Sequence, residues 1–192
     1  SIDFDYSDAF TVAFWIRNLD QFRRQAVMSK SPGYPTRRGW HLIVNNAADT
    51  PANVMRVLMY HAEDAAPARV IWRNTSETFL QNVWRHYAFV SPQAWDGSAI
   101  KVYVDGVLDT GGASNTSGAA GTIKTTETFA IGARRLSGLN QIRSRLDEVM
   151  MIARALIDAQ VADLYAADLD KYKQAAKKRR TVVHLLTGDT GF

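Results

Sequence analysis

Adjacent acidic residues are the first feature of this sequence that could do chemistry. Two carboxyl groups can cleave a glycosidic bond when they flank it about 5 Å apart, one as acid and one as nucleophile. The sequence offers Asp147-Glu148 and Glu63-Asp64. The first pair is predicted to lie on a strand, where neighbouring side chains point to opposite faces, and the second in a turn. We therefore predict no catalytic carboxylate pair and interpret Asp147 as a buried residue in a hydrogen bond or ion pair.

Other catalytic patterns are missing from the sequence. It has no cysteine, which excludes a thiolate metal site or a disulfide scaffold, and no His-Glu-x-x-His, Gly-x-Ser-x-Gly or phosphate-binding loop. His86 is predicted to pack in a strand. His41 and His61 could meet across a sheet but are interpreted as strand or surface positions. Asp189-Thr-Gly191 matches the aspartic-protease triplet by chance, with too little chain after it. We expect no enzymatic activity and no certain cofactor.

Aromatic residues beside polar ones could bind a sugar, because a pyranose has apolar C–H faces and polar edges. Trp95 lies in a predicted turn, just before Asp96-Gly97, and the stretch that contains Tyr34 is predicted to be a loop. For each aromatic side chain, edge packing or a protein–protein contact is the alternative. The candidate ligand-binding residues are Trp40, Trp72, Trp95, Tyr34, Arg37 and Arg38.

Short strands must position these residues. Apolar residues alternate in segment after segment, which is the period of a half-buried strand. Asp105-Gly106 predicts a tight hairpin turn, and Thr110–Thr122, rich in Gly, Ser, Ala and Asn, predicts a long exposed loop. Strands this short and frequent predict an all-β antiparallel sandwich. The predicted strands are Phe10–Arg17, Gln25–Ser31, Gly39–Asn45, Asn53–His61, Ala68–Arg73, Trp84–Val90, Ile100–Asp105, Val107–Leu108, Phe129–Ala133 and Arg145–Ile152.

The hydrophobic period changes near the end of the chain. A helix is predicted from Asp158, which can cap it or favour its N-terminal dipole. Thr181–Leu186 is predicted to be one more extended segment. We divide the chain into a sandwich, 1–168, and a basic extension, 169–192. The apolar residues with helical spacing are Val161, Leu164, Tyr165, Leu169 and Tyr172.

Positive charge is concentrated in the extension. Residues 171–192 hold six Lys or Arg and one acidic residue. Residues 1–170 hold 17 Lys or Arg and 18 Asp or Glu, so the sandwich is nearly neutral. The basic pI therefore does not indicate a nucleic-acid-binding domain. The extension is interpreted as a solvated helix end. The alternatives are contact with an acidic partner, another subunit or nucleic acid, and a localisation signal. The candidate partner-binding residues are Lys177, Lys178, Arg179 and Arg180.

Several short segments follow one another along the chain in a characteristic order. They are Phe10-Thr-Val-Ala-Phe-Trp15, Trp84-Arg-His-Tyr-Ala88, Val102-Tyr-Val-Asp-Gly-Val107, Phe129-Ala-Ile-Gly-Ala133, Arg145-Leu-Asp-Glu-Val149, Arg154-Ala-Leu156 and Val161–Tyr165. In this order they resemble the laminin G-like domains of the concanavalin A-like lectin/glucanase superfamily, over roughly residues 1–168. The resemblance implies a jelly-roll sandwich with Trp15 and Trp84 in the core. It does not account for the residues after about Tyr165.

The family hosts lectins, adhesion modules, hydrolases, lyases and viral coat parts, so fold alone does not decide function. Its hydrolases use a Glu-x-Asp-x-x-Glu type of spacing that is missing here. Some relatives bind a structural calcium ion, for which Asp5 and Asp147 are the best candidates. The favoured alternative is a salt bridge from Asp147 to Arg143 or Arg145.

We expect a non-catalytic recognition or structural module of a larger assembly, such as a decoration, fibre or adhesion protein of a phage particle. The expected partners are its own copies, other coat proteins and cell-surface glycans. No secretory signal and no membrane-length apolar run is visible, and the expected location is a virion surface or the extracellular space. One alternative is a carbohydrate-binding module of a secreted protein, and another is a hydrolase or lyase.

Overall fold

The computed structural model of the chain describes residues 4–5, 8–20, 23–31, 38–45, 52–60, 70–92, 99–115, 122–133 and 141–186. The strands form two antiparallel sheets. The five-stranded sheet has the order β11-β1-β6-β7-β8. Its strands are β1 (Phe10–Asn18), β6 (Trp84–Ser91), β7 (Lys101–Val104), β8 (Val107–Asp109) and β11 (Ser144–Ile152).

The second sheet has six strands in the order β10-β2-β3-β4-β5-β9. Within the predicted loop Thr110–Thr122, β9 pairs with β5, so that part of the loop prediction is wrong. A two-residue edge strand carries too little pattern to be found in a sequence. The strands are β2 (Gln25–Lys30), β3 (Gly39–Val44), β4 (Met55–Tyr60), β5 (Val70–Asn74), β9 (Ser114–Asn115) and β10 (Ala130–Ile131).

The main core lies between the two sheets, which confirms the predicted sandwich. Alternate side chains of each central strand point into it, as the period of two requires. Its members are apolar and nearly all closed to solvent. They include Phe10, Val12, Phe14, Ile16, Met28, Trp40, Leu42, Met55, Val57, Tyr87, Phe89 and Val102.

The helix α1 (Asp158–Leu186) adds a third layer on the outer face of the five-stranded sheet. Val161 of the helix packs with Ala13 of β1, Ala88 of β6 and Tyr103 of β7 in a second buried cluster. The Asp158 carboxylate accepts hydrogen bonds from Lys101 Nζ and the Tyr103 hydroxyl, both at 2.8 Å. Both faces of this sheet are therefore covered where α1 lies, so β1 is buried almost continuously.

The helix runs further than the sequence predicts. It starts at Asp158 as expected but continues through Leu186, so the prediction of an extended segment over Thr181–Leu186 is wrong. Lys, Arg and Ala favour helix, and neither Gly nor Pro occurs between Asp158 and Leu186 to end it. The β-branched residues after Thr181 are too few to override this. The helix is continuous across residue 168 and does not mark a boundary there. The division into 1–168 and 169–192 stays a prediction.

Candidate binding cleft

A cleft of about 700 Å³ lies between α1 and one end of the five-stranded sheet. Strands β1, β6 and β11 form its floor, and α1 forms one wall. We name it the α1 cleft. Its lining combines aromatic side chains with charged ones. The lining residues are Trp15, Arg17, Asn82, Val83, Trp84, Asp105, Arg145, Asp147, Tyr165, Leu169, Lys171, Tyr172 and Lys173.

Strand register places the floor of the cleft in two rows across the sheet. In one row Trp15 of β1 stands between Asp147 of β11 and His86 of β6. The next row holds Arg17, with Arg145 and Trp84 as its partners on the two neighbouring strands. Because residues two apart on a strand share a face, both rows face α1.

Stacked aromatic rings form the base of the α1 cleft. The ring centroids of Trp15 and Tyr172 are 4.1 Å apart, and those of Trp84 and Tyr172 are 5.0 Å apart. Tyr165 lies 5.5 Å from Trp15. The two tyrosines are seven residues apart, which puts them on one face of the helix after two turns. Trp15 and Tyr172 are buried, whereas Trp84 and Tyr165 remain partly exposed.

His86 is sealed inside this aromatic cluster. Its ring packs against Trp15 at 5.4 Å and Tyr165 at 6.0 Å, and the residue has no exposed surface. Neither ring nitrogen has a hydrogen-bond partner among the described residues. Burial lowers the pKa of His86 to about 4, against the opposing effect of the Asp105 carboxylate. The imidazole is therefore neutral at pH 7 and inaccessible to a ligand, in agreement with its prediction as a packing residue.

A β-bulge corrects the prediction for Asp147 and Glu148. Two residues of β11, Glu148 and Val149, stand opposite the single Phe14 of β1, and Glu148 has a φ of +47°. Both carboxylates therefore contact Lys171 Nζ, at 3.1 Å from Asp147 and 2.6 Å from Glu148, instead of facing opposite ways. A bulge inserts one residue into the alternation, which a regular strand pattern cannot reveal.

The same contacts replace the ion pair that was expected. Asp147 is partly exposed rather than buried, and its described ionic partner is Lys171 of α1 rather than Arg143 or Arg145. Desolvation alone would raise the pKa of Asp147, but hydrogen bonds from Lys171 and the Glu148 amide outweigh it and lower that pKa. Hydrogen bonds from Lys171 to the carboxylates of Glu148 and, second, Asp147 raise the pKa of Lys171. The lowered pKa of Asp147 is the wrong direction for a glycosidic general acid, which needs a raised pKa.

The remaining charges of the α1 cleft leave an excess of cations. Arg17 donates hydrogen bonds to the main-chain and side-chain oxygens of Asn82, at 3.1 and 3.4 Å. Arg145 and Lys173 are exposed, and neither has an ion pair with another described residue. Asp105 is held by Arg85 and by the His86 amide. Arg145 and Lys173 therefore carry charges at the cleft that no acidic residue among the described ones neutralises.

The sequence-predicted sugar-binding residues are scattered. Trp40 is only 2% exposed in the main core, so its proposal as a sugar platform is wrong. Trp72 is partly exposed on the outer face of the six-stranded sheet, with the Arg56 guanidinium 4.8 Å from its ring centroid. Arg38 is partly exposed just before β3. Three further candidates lie outside the described residues: Trp95, Tyr34 and Arg37.

The predicted calcium ligands do not come together. The Asp5 carboxylate accepts hydrogen bonds from Thr122 Oγ1 at 2.9 Å and the Ile123 amide at 3.1 Å, whereas Asp147 is engaged by Lys171. Over the ranges that the structure covers, no group of three or more Asp, Glu or His side chains could hold a metal ion. These residues do not fit the proposed calcium site, and structural calcium stays a prediction.

The other predicted positions are structural or only partly described. His41 is a buried strand residue whose Nδ1 lies 2.9 Å from Ser29 Oγ across the β2–β3 pair, while His61 and Glu63-Asp64 lie outside the described residues. The candidate partner-binding residues 177–180 lie on the helical backbone of α1. In the part of the chain that the structure describes, no helix combines the length and the apolar character needed to cross a membrane.

Most of the α1 cleft was missed from the sequence. Trp84 was set aside as a core residue together with Trp15, yet Trp84 is partly exposed at the cleft. Two signals were available. Trp15 lies on the strand face opposite the core residues Phe14 and Ile16, and the helix carries Tyr165 and Tyr172 at a spacing of seven. Together they indicate that α1 stacks on the outside of β1.

In the comparison with protein families, a laminin G model, described as the concanavalin A-like lectin/glucanases superfamily, matches residues 1–162. The comparison with curated proteins gave no match. Solved structures with the same fold include the binding domain of Paraclostridial Mosquitocidal Protein 1, with a TM-score of 0.58 and 20% identity over 85% of this chain.

A candidate carbohydrate binding protein from Bacteroides ovatus has a TM-score of 0.56 and 16% identity over 83% of this chain. A heptameric SAP-like pentraxin from Limulus polyphemus has a TM-score of 0.53 and 12% identity over 81%. The chain spans 38% of the mosquitocidal domain, 41% of the Bacteroides protein and 69% of the pentraxin. The family match covers most of the chain, and we conclude that the chain belongs to the concanavalin A-like lectin/glucanases superfamily.

Proposed function

We propose that this chain is a non-catalytic carbohydrate-recognition module and that it binds its ligand in the α1 cleft. The observation that carries the proposal is the partly exposed Trp84 ring beside the hydrogen-bonding groups of Arg17 and Asn82. A pyranose needs this combination, an apolar surface for its C–H face and polar groups for its hydroxyls. The cleft volume of about 700 Å³ lies in the usual range for small-ligand sites.

The chemistry of the cleft supports binding without turnover. Lys171 holds both carboxylates of the bulge, and the pKa of Asp147 is lowered rather than raised. His86, the histidine nearest the cleft, is closed to solvent. Neither a general acid nor an accessible imidazole base is therefore offered to a bound sugar by the described lining.

Tryptophan substitutions provide the test. A glycan array identifies ligands, and calorimetry then compares the wild type with Trp84→Ala and with Trp72→Ala on the other sheet. Loss of the Trp84 face should weaken binding about tenfold, which corresponds to about 1.4 kcal/mol. Trp72→Ala should leave affinity unchanged. If Trp72→Ala abolishes binding and Trp84→Ala does not, the site is on the six-stranded sheet and our placement is refuted.

The finer proposal is that the module works within a larger assembly, such as the surface of a phage particle, or otherwise in the extracellular space. The support is α1, which carries Lys177, Lys178, Arg179 and Arg180 on a helix of 29 residues. Its partners would be further copies of the chain or other coat proteins, and nucleic acid only through this basic stretch. Native mass of the full chain and of a fourfold glutamine variant at these positions tests the proposal. A defined oligomer that the variant loses supports it, whereas two monomers contradict it.

A further inference from the structure

We infer that the ligand of this chain is a linear oligosaccharide longer than a disaccharide, which runs from the α1 cleft into a second hollow at the same end of the five-stranded sheet. The inference rests on the proposed carbohydrate function and adds the form of the ligand. The second hollow has a volume of about 570 Å³, and we name it the rim hollow. Its lining residues are Leu19, Asp20, Gln81, Ile142, Arg143 and Ser144.

The floor of the α1 cleft continues into the rim hollow along two neighbouring strands. Arg17 of β1 lines the cleft, and Leu19, two residues later, lines the rim hollow. On the β11 side Arg145 lines the cleft, and Arg143, two residues earlier, lines the rim hollow. The Leu19 amide donates to the Arg143 carbonyl at 3.2 Å, so the pairing of β1 with β11 extends to this row. Because residues two apart share a face, the two hollows are successive rows of one surface, about 7 Å apart along the strands.

A third chain segment, which leads into β6, connects the two hollows at their border. Gln81 lines the rim hollow, and its neighbour Asn82 lines the α1 cleft. The Asn82 amide donates to the Asn18 carbonyl at 2.7 Å, and Gln81 Nε2 donates to the Leu19 carbonyl at 3.1 Å. These bonds hold the segment against the end of β1 without a ligand. Binding to a groove that is already formed costs less ordering of the protein.

The chemistry of the α1 cleft recurs in the rim hollow. In the cleft, the Trp84 ring lies with the hydrogen-bonding side chain of Asn82. In the rim hollow, Leu19 is 41% exposed and lies with the polar side chains of Asp20 and Arg143, whose Oδ2 and Nη1 atoms are 3.9 Å apart. Each hollow therefore offers an apolar surface for the C–H face of a pyranose and polar groups for its hydroxyls. A chain of linked pyranoses contacts both surfaces, whereas a single sugar contacts one.

The length of the oligosaccharide provides the test. Calorimetry of the full chain compares the dimer, tetramer and hexamer of cello-oligosaccharides and of the glycan that the array identifies. A hexamer presents overlapping dimer units, which alone raise its affinity about fivefold over the dimer. A ligand that fills both hollows should bind as a hexamer at least about thirtyfold more tightly than as a dimer. A gain of about fivefold or less overturns the inference, because a single hollow then accounts for binding.

Two leucines at this end of the sheet locate the path of the ligand. Leu19→Ala removes apolar surface from the rim hollow and should weaken hexamer binding about fivefold, while dimer affinity stays unchanged. Leu80→Ala is the matched control, because Leu80 is 48% exposed and is not among the residues that line either hollow. Circular dichroism and thermal unfolding verify that each variant is folded. Equal losses in the two variants overturn the inference, since they indicate a general effect of apolar surface.

The remaining outcomes separate this inference from the function on which it rests. Equal affinity for dimer and hexamer, with both weakened by Trp84→Ala, overturns the inference and leaves carbohydrate recognition in the α1 cleft intact. A hexamer advantage that Leu19→Ala does not reduce overturns it as well, because the ligand then leaves the cleft in another direction. Failure of every saccharide to bind, on the array and in calorimetry, refutes both proposals.

Discussion

His86 makes the stability of this fold depend on pH in a measurable way. The folded state keeps its imidazole neutral, with a pKa of about 4 against 6.5 for the free side chain. As pH falls below about 7, His86 binds a proton in the unfolded chain but not in the folded chain, so the free energy of unfolding decreases. From these two pKa values the decrease due to His86 alone is about 2 kcal/mol between pH 7 and pH 5.

The perturbation that isolates this contribution is His86→Phe. The ring packs between Trp15 and Tyr165 and its nitrogens bond to no described residue, so phenylalanine keeps the shape and loses no hydrogen bond. Urea unfolding of wild type and variant at pH 7, 6 and 5 gives the free energies. The wild type should lose about 2 kcal/mol more than the variant over this range, since the other titrating groups are common to both.

Two results would refute the reasoning. Parallel stability curves for wild type and variant would mean that His86 titrates alike in the folded and unfolded states. A His86 resonance that titrates near pH 6.5 in the folded protein would mean the same. Either would show that α1 does not close over the aromatic cluster, and the α1 cleft as described would lose its wall.

Two further changes test the packing of α1. Gly106→Ala should lower the free energy of unfolding by about 1 to 2 kcal/mol, since Gly106 has a φ of +78° and an added Cβ would lie 3.0 Å from the ring of Tyr165. An unchanged melting temperature would contradict the turn geometry. Truncation after Asp170 should lower the free energy of unfolding in urea by about 3 kcal/mol because it removes the buried Tyr172, whereas truncation after Ala176 should change it little. Equal effects of the two truncations would show that helix length matters rather than the Tyr172 ring.

The parts of the fold that follow a strict period could be predicted from the sequence. Alternation in Phe10–Arg17 places Phe14 and Ile16 in the core, where the structure has them. The turn preferences of Asp and Gly predict the Asp105-Gly106 hairpin, and both residues have the positive φ that such a turn requires. The helix start at Asp158 was also predicted. Each of these depends on residues close together in the chain.

The candidate site could not be predicted in the same way because it depends on non-local or irregular features. The bulge at Glu148 is a single inserted residue, and it alone decides that two neighbouring carboxylates meet Lys171. The opposition of Arg17 and Arg145 requires the register of strands that are more than 120 residues apart in sequence. The exposure of Trp84 depends on how far α1 covers the sheet.

The position of β1 has a consequence for biosynthesis. This strand leaves the ribosome before both of its neighbours in the sheet, β6 and β11, and β11 is completed only at Ile152. Until then one edge of the apolar strand β1 has no pairing partner. Its outer face stays uncovered until the first turns of α1 have also been made. Pairing over such distances is slow and leaves nascent chains prone to aggregation. We therefore expect that synthesis stalled before β11 yields chains that chaperones hold, and that stable domains form only after the first half of α1 has left the exit tunnel.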